Sequence, residues 1–325
     1  MLLLDERRGV APEADPAFLS DVLAGLAQGQ KAIPARWFYD HRGSELFEEI
    51  TRLPEYYPTR VETGLLEKHC PEVGRIVGAG RAVVEFGSGS SLKTPHLLRA
   101  IFPAAYVPID ISGDFLRESV ADLGQAFPAL PVFPVEANFM GPVRLPAEIA
   151  GAAKLGFFPG STIGNLVPRS AVDLLRGMID TLGIGAMLLI GMDRVKDEDV
   201  LVPAYDDAAG VTAAFDLNLL HRINRELGGD VPIDLFRHQA RWNDLWARIE
   251  MHLVATADLA FTIAGHRFVM KAGETIHTEN SHKYDPRSAR QLLAAGGWSP
   301  IREWPDADGM FSLFLAEARP EPMAP

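Results

Sequence analysis

The residues best placed to do chemistry sit where an apolar run breaks into glycine: Val83-Val84-Glu85-Phe86-Gly87-Ser88-Gly89-Ser90-Ser91-Leu92-Lys93-Thr94-Pro95. The run reads as a buried strand. Thr94-Pro95 reads as a helix N-cap with proline at the first helical position, and Leu97, Leu98, Ile101 and Phe102 follow at helical spacing. Such a junction lets backbone approach a ligand closely and aims free N–H groups at it. Leu92 narrows the ligand class. A phosphate loop and a dinucleotide turn both need glycine at that place, and a bulky residue suits neither. What remains is acid-x-Gly-x-Gly: Glu85, Gly87 and Gly89, with Lys93 at the helix entry. Asp110 ends a second apolar strand about 20 residues on, where an acid takes ribose hydroxyls; a plain strand-end cap is the alternative.

Two further sets carry polar chemistry. Phe157-Phe158-Pro-Gly160-Ser-Thr-Ile-Gly164-Asn165 places glycines around Ser161-Thr162, as in a loop pressed against a ligand. Asn165 offers a donor and an acceptor, and otherwise reads as a helix cap ahead of Pro168. In the extended stretch Glu274–Tyr284, alternation puts His277, Glu279 and Ser281 on one side. His277, Glu279 and His282 raise the question of a metal. Without cysteines or a helical His-x-x-x-His pair no metal site is expected, and a solvated strand edge is the bland reading.

Bulk composition excludes several classes. The formal charge of −12 argues against a nucleic-acid substrate, which calls for a basic face. Cys70 is the single cysteine, so no internal disulfide forms; a reducing cytoplasm and a structural thiol are expected. Met1-Leu-Leu-Leu is too short for a signal sequence, and no run of about 18 apolar residues offers a membrane span.

The elements that must position these residues alternate. Candidate strands are 82–86, 105–112, 131–136, 154–159 and 185–192, with helices starting near Pro95, Asp114, Pro146 and Pro168. That pattern predicts a parallel sheet whose ligands gather at the strands' carboxyl ends. Before it, Asp15-Pro16 opens a helix, and an aromatic-dense segment carries Tyr39, Phe47, Tyr56 and Tyr57. After the fifth strand come roughly 90 residues, more than a connection needs. They hold Tyr205, Phe215, a strand with Ile249, Met251 and Leu253 on one face, and a hairpin turning at Ala264-Gly265. Met251 alone reads as core filling. Asp285-Pro286 caps a last helix stopped by Gly296-Gly297, and a pair of strands closes the chain. We expect a core of 61–195 with 285–320, a lid over the strand ends from 1–60 with 196–284, and a frayed tail, 321–325.

The glycine turn resembles the first motif of class I S-adenosylmethionine-dependent methyltransferases. Tyr39-Asp-x-Arg-Gly-Ser-Glu-Leu-Phe47-Glu-Glu-Ile-Thr, followed by Pro54-Glu-Tyr56-Tyr57-Pro-Thr-Arg, resembles the histidine-specific methyltransferases of ergothioneine biosynthesis, and the likeness runs from about residue 30 to 318. The resemblance implies a Rossmann-like, mostly parallel α/β sheet with a C-terminal antiparallel hairpin, plus an α+β substrate-binding lobe. It implies trimethylation of the α-amino group of L-histidine, giving hercynine. S-Adenosylmethionine would be held by Glu85, Gly87, Gly89, Lys93, Asp110, Asn138 and Phe139. Asn138 departs from the family's usual Asp-Phe, its oxygen still accepting from the adenine amino group but without charge, so weaker binding is expected. Asn165 with Tyr56 and Tyr205 would hold the substrate's carboxylate and amine, Glu279 and Ser281 would pair with the ring nitrogens, Tyr39 and Phe47 would flank the ring, and Met251 would wall it. No dedicated base is expected, and the chain is expected to act as a cytoplasmic monomer. The alternatives are methylation of another, tryptophan-like aromatic amino acid and a relative that binds the methyl donor without catalysis.

Overall fold

A computed structural model describes residues 15–89 and 91–319; Ser90 of the glycine turn and the tail 321–325 lie outside the described residues. In chain order come helix α1 (Pro16–Leu26), strand β1 (Lys31–Ala32) and helix α2 (His41–Ile50). Helix α3 (Tyr57–Val77) leads into β2 (Ala82–Phe86), α4 (Thr94–Ile101), β3 (Ala105–Asp110), α5 (Gly113–Ala126), β4 (Val135–Glu136), β5 (Lys154–Phe158), α6 (Pro168–Leu182) and β6 (Met187–Asp193). Next are α7 (Glu198–Leu201), α8 (Val211–Glu226), β7 (Phe236–Asn243), β8 (Arg248–Ala255), β9 (Leu259–Ile263), β10 (His266–Met270) and β11 (Thr275–His282). Helix α9 (Pro286–Ala295) and strands β12 (Trp298–Pro305) and β13 (Phe311–Ala318) finish it.

The chain divides into two compact units: Met1–Ile50 with Leu201–Asn243 and Ile249–Asn280, and Thr51–Val200 with Asp244–Arg248 and Ser281–Pro325. The larger unit holds a seven-stranded sheet in the order β12-β13-β6-β5-β2-β3-β4. Strands β2 to β6 run parallel, whereas β13 lies antiparallel between β6 and β12. Strand β2 is central, Val84 pairing with Val107 on one side and Gly156 on the other. Alternation divides its side chains between two cores. Val83, Tyr106, Leu155 and Leu189 face helix α3 through Leu65, Leu66 and Val73. Val84, Val107, Phe158 and Ile190 face α6 through Leu174, Leu175 and Met178, and α9 through Leu293. Covering on both faces is why these strands read as unbroken apolar runs. Cys70 lies inside the α3 core, and burial pushes its thiol up to about 12, as befits a structural residue.

The closing elements follow from local chemistry. Asp285 caps α9 through the N–H groups of Arg287 and Ser288 and forms a capping box with Ser288. Trp298 behind the glycine stop is buried, and its indole N–H donates to Leu175 O at 2.9 Å.

Four sequence expectations change. The strand expected over 131–136 shrinks to Val135–Glu136, with one bridge at Val132, because Pro134 has no N–H for the ladder. The strand expected over 105–112 ends at Asp110, whose Oδ1 takes the Ser112 N–H at 3.0 Å and turns the chain into α5. The helix expected near Pro146 is a single 3₁₀ turn, Ala147–Ile149, with Ile149 as its buried anchor and Gly151 just beyond it. Thr94 is not the N-cap of α4; Lys93 is, and the Thr94 hydroxyl goes elsewhere.

The smaller unit is α+β. Its sheet order is β1-β11-β8-β7, with β1 parallel to β11, and β9 and β10 form a separate antiparallel hairpin. The hairpin turns at Ala264 (φ +48°) and Gly265 (φ +80°), the pair of positive angles a type I′ turn requires. Asp15 caps α1 through the Ala17 N–H at 2.7 Å. Among the described residues no helix is long and apolar enough to cross a membrane.

Candidate active site

The glycine turn leaves β2 with Gly87 at φ +73° and Gly89 at φ +49°, angles that favour glycine over any residue with a Cβ. It is tied to the end of β3. Gly87 and Ser88 N–H groups donate to Ile109 O at 2.8 and 3.1 Å, and the Gly89 N–H donates to Asp110 Oδ2 at 2.9 Å. Asp110 is thereby fixed with one backbone donor on each carboxylate oxygen, and each oxygen keeps a lone pair for a vicinal diol. A Cβ on Gly87 would stand 3.3 Å from Phe139 Cε1, so the turn and the ring after β4 are in contact. Phe139 also meets Phe86 and Phe158 edge-on, at 6.4 and 5.8 Å between centroids. Asn138 is exposed, and its Oδ1 accepts the Met140 N–H at 3.0 Å.

Glu85 and Lys93 are both engaged by other side chains. Glu85 is buried at 1 % exposure, and its Oε2 accepts the Tyr106 hydroxyl at 2.6 Å and the Thr94 hydroxyl at 2.7 Å. Burial pushes this carboxyl up to about 8, against the pull of those two hydroxyls and the Lys93 charge. Lys93 Nζ lies 2.5 Å from Oε2 of Glu62, a residue with no exposed surface that also accepts the Gly160 N–H with both oxygens, at 3.0 and 2.8 Å. Glu62 was not a candidate from sequence. It stands in helix α3 between Val61 and Thr63, and only its contacts give it away.

The Gly160–Asn165 loop is pressed against protein. Gly160 has φ +80° and Ser161 φ +56°, and the Ser161 hydroxyl accepts the Asp193 N–H at 2.9 Å. A Cβ on Gly164 would fall 2.7 Å from His282 O. The half-buried Asn165 therefore ends a 3₁₀ turn packed on the residue after Ser281.

Asp193 organises a second cluster that the sequence did not announce, although a carboxylate ending a buried strand was its signal. Its side chain is wholly buried and meets Lys283 Nζ at 2.7 Å, Lys196 Nζ at 2.6 Å and the Tyr57 hydroxyl at 2.7 Å. Burial alone would raise this carboxyl; the Lys283 and Lys196 charges prevail and hold it low. Burial pushes Lys196 down to about 8 despite Asp193. Lys283 also donates to Ser281 Oγ at 2.8 Å. Tyr56 lies one residue before Tyr57 and is itself buried.

The smaller unit contains the remaining candidates. Tyr39 and Phe47 sit edge-to-face with centroids 5.8 Å apart, and Phe215 closes the cluster at 5.8 and 6.1 Å from them. Tyr205 is buried, and its carbonyl bonds His238 Nε2 at 2.8 Å while His238 Nδ1 meets Asp216 at 2.7 Å. Burial would lower His238, but the Asp216 carboxylate raises it. Met251 is 2 % exposed, and Glu279 is half-buried on β11. His277 Nε2 donates to the Glu279 carbonyl at 3.1 Å and its ring stacks on His252 at 4.7 Å. Glu250, His252 and His277 bring three potential metal-ligand atoms within 4.8 Å. Burial, then His277, pushes His252 down to about 4, and its nitrogens engage Glu250 and Thr275. The trio lies on strands β8 and β11.

A sheet of five parallel strands closed by an antiparallel hairpin, with a glycine turn after its central strand and an acid ending the next, defines a class I methyltransferase. A family model described as histidine-specific methyltransferase, SAM-dependent, matches residues 18–318. The chain belongs to that family. It is 41% identical over 319 residues to a histidine N-alpha-methyltransferase of Mycolicibacterium smegmatis, covering 94% of this chain and 96% of that one. A histidine N-alpha-methyltransferase of Mycobacterium tuberculosis is 40% identical over 306 residues, with 92% and 94% covered. Ergothioneine biosynthesis protein 1 of Neurospora crassa is 27% identical, covering 90% of this chain and 34% of that protein.

Proposed function

We propose that the chain transfers methyl groups from S-adenosylmethionine to the α-amino nitrogen of L-histidine, three times in succession, giving hercynine on the way to ergothioneine. The family match over residues 18–318 carries this reading. The turn suits the donor: Asp110 keeps two lone pairs for the ribose diol, Phe139 offers an apolar ring beside Gly87, and Ser88 Oγ is a buried hydroxyl with no partner among the described residues. When bound, the donor supplies a methyl on a sulfonium.

The protein's task is then positional. A displacement at methyl carbon needs no protein nucleophile; it needs an amine lone pair held in line at about 3 Å. An α-ammonium has no lone pair and α-amino groups titrate near 8, so the site must accept hydrogen bonds from a neutral amine. Asn165, Tyr56 and Tyr205 are the groups we assign to the amine and carboxylate. Glu279 and Ser281 read the ring, Tyr39 and Phe47 flank it, and Met251 supplies an apolar wall. An indole, with a donor and no ring acceptor, satisfies only half of the Glu279–Ser281 pair. The enzyme works as a monomer in the cytoplasm, in keeping with its lone buried thiol. Incubation with S-adenosylmethionine and each of the twenty amino acids, followed by mass spectrometry, tests the assignment: histidine alone gains one to three methyls, and preferred methylation of any other amino acid refutes it.

A further inference from the structure

A neutral imidazole carries one N–H and one lone pair, yet both ring nitrogens of His238 face acceptors. Nδ1 lies 2.7 Å from Asp216 Oδ2, and Nε2 lies 2.8 Å from the Tyr205 carbonyl oxygen. A carbonyl cannot donate, so Nε2 carries a hydrogen; Nδ1 against the carboxylate carries the other, and the ring is an imidazolium. The pair is sealed, with side-chain exposures of 1% for His238 and 0% for Asp216. Asp216 Oδ1 is buried without a partner among the described residues, so the ring is this carboxylate's counter-ion. Burial opposes a charged ring; Asp216, the Tyr205 carbonyl and the Asp206 carboxylate together prevail and raise its pKa.

The cation holds a short strap between α7 and α8. Tyr205 N–H donates to Val202 O at 3.0 Å, and Asp206 Oδ2 accepts the Ala240 N–H of β7 at 3.3 Å. Asp207 accepts the Val211 and Thr212 N–H groups at the start of α8, at 3.0 and 2.7 Å. The bond from His238 is charge-assisted, and it ties the Tyr205 carbonyl to β7. Every group in this clamp belongs to the smaller unit.

We propose that His238 is a positioning residue: as an imidazolium held by Asp216, it clamps the Tyr205 carbonyl and so fixes the side chain that meets the substrate. This rests on the assignment of Tyr205 to the substrate's amino-acid end. A backbone held from both its N–H and its carbonyl leaves Tyr205 little freedom beyond its own side-chain rotation, so the ordering cost of binding is met in the fold before substrate arrives.

The experiment has two readouts. Nitrogen NMR of protein labelled at its histidine rings, with the His238 signals assigned by their loss in a variant, counts ring protons against pH. Both His238 nitrogens stay protonated above about pH 6.5, where a free imidazole is half titrated. A single ring proton there overturns the proposal. Two substitutions then separate anchoring from packing. The amide nitrogen of glutamine falls near the place of Nε2 and that of asparagine near Nδ1, so His238→Gln keeps a donor for Tyr205 and His238→Asn does not. His238→Asn raises the histidine KM about tenfold with little change in kcat, whereas His238→Gln holds it within about threefold of wild type. Calorimetry with S-adenosylhomocysteine verifies folding of both. Equal KM values in the two variants would mark a merely structural histidine and overturn the clamp. Tyr205→Phe examines the assignment beneath it: a raised KM is expected, and unchanged kinetics would remove Tyr205 from the substrate site. A raised KM in Tyr205→Phe beside a wild-type KM in His238→Asn overturns the role of His238 and leaves the assignment standing. If His238→Asn does not fold, the ring-proton count in wild type decides.

Discussion

Glu62 Oε2 lies 2.5 Å from Lys93 Nζ, while both oxygens of the same buried carboxylate accept the Gly160 N–H. One side chain thus joins helix α3, the exit of the glycine turn and the loop after β5. Lys93 is thereby committed to a partner within the protein.

Removing that anchor leaves a half-buried lysine without its carboxylate and the Gly160 N–H without its acceptor. Glu62→Ala is expected to cost roughly 3–5 kcal/mol of folding stability, and Glu62→Gln, which can still accept from Gly160, about 1–3 kcal/mol. Urea unfolding checks this. Equal losses for the two variants would contradict the ion pair's share.

Gly87→Ala forces a Cβ into φ +73° and to 3.3 Å from Phe139. A left-handed Cβ costs roughly 1–2 kcal/mol, and the displaced ring is expected to weaken S-adenosylmethionine binding about tenfold in calorimetry. Gly64→Ala, in the interior of α3 with nothing within 4 Å of the added carbon, is the control and should stabilise by about 0.5–1 kcal/mol. Unchanged affinity in Gly87→Ala would remove the turn from the donor site.

Glu85 predicts a pH dependence of stability. Its folded pKa is raised from 4.5 to about 8, burial being the main cause. The folded chain therefore keeps a proton that the unfolded chain releases, and this residue's contribution falls as pH rises from 4.5 to about 8, then levels off. Glu85→Gln is uncharged throughout and should lose that decline, its melting temperature gaining on wild type with rising pH. Parallel profiles for the two proteins would show that Glu85 is already ionised when folded.

Much of the fold was legible because β2, β3, β5 and β6 are largely apolar runs cut off by glycine, proline or an acid. Gly87, Gly89 and Asp110 could be read as a unit because the two strands they end are neighbours in sequence and in the sheet. What escaped was pairing at long range. Tyr57 and Asp193 are 136 positions apart and Glu62 and Lys93 are 31 apart, and no local period records such a match. Glu62 in a helix and Lys283 after a polar strand look like solvated charges until their burial is known. Gly160 and Gly164 have protein neighbours that no local pattern announces, Glu62 and the His282 backbone.

Glu279→Ala tests ring recognition. Leaving a ring N–H unpaired costs roughly 1–3 kcal/mol, so kcat/KM for histidine should fall about ten- to a hundredfold or more while S-adenosylhomocysteine affinity stays unchanged. Wild-type efficiency would take Glu279 out of the mechanism.

The most direct measurement is fragmentation mass spectrometry of the product formed from histidine and excess S-adenosylmethionine. The account predicts a species with three methyl groups, all lost with the α-nitrogen as trimethylamine, and an unmodified imidazole. Methyl groups on the ring, or a reaction that halts at one methyl with donor in excess, would contradict it.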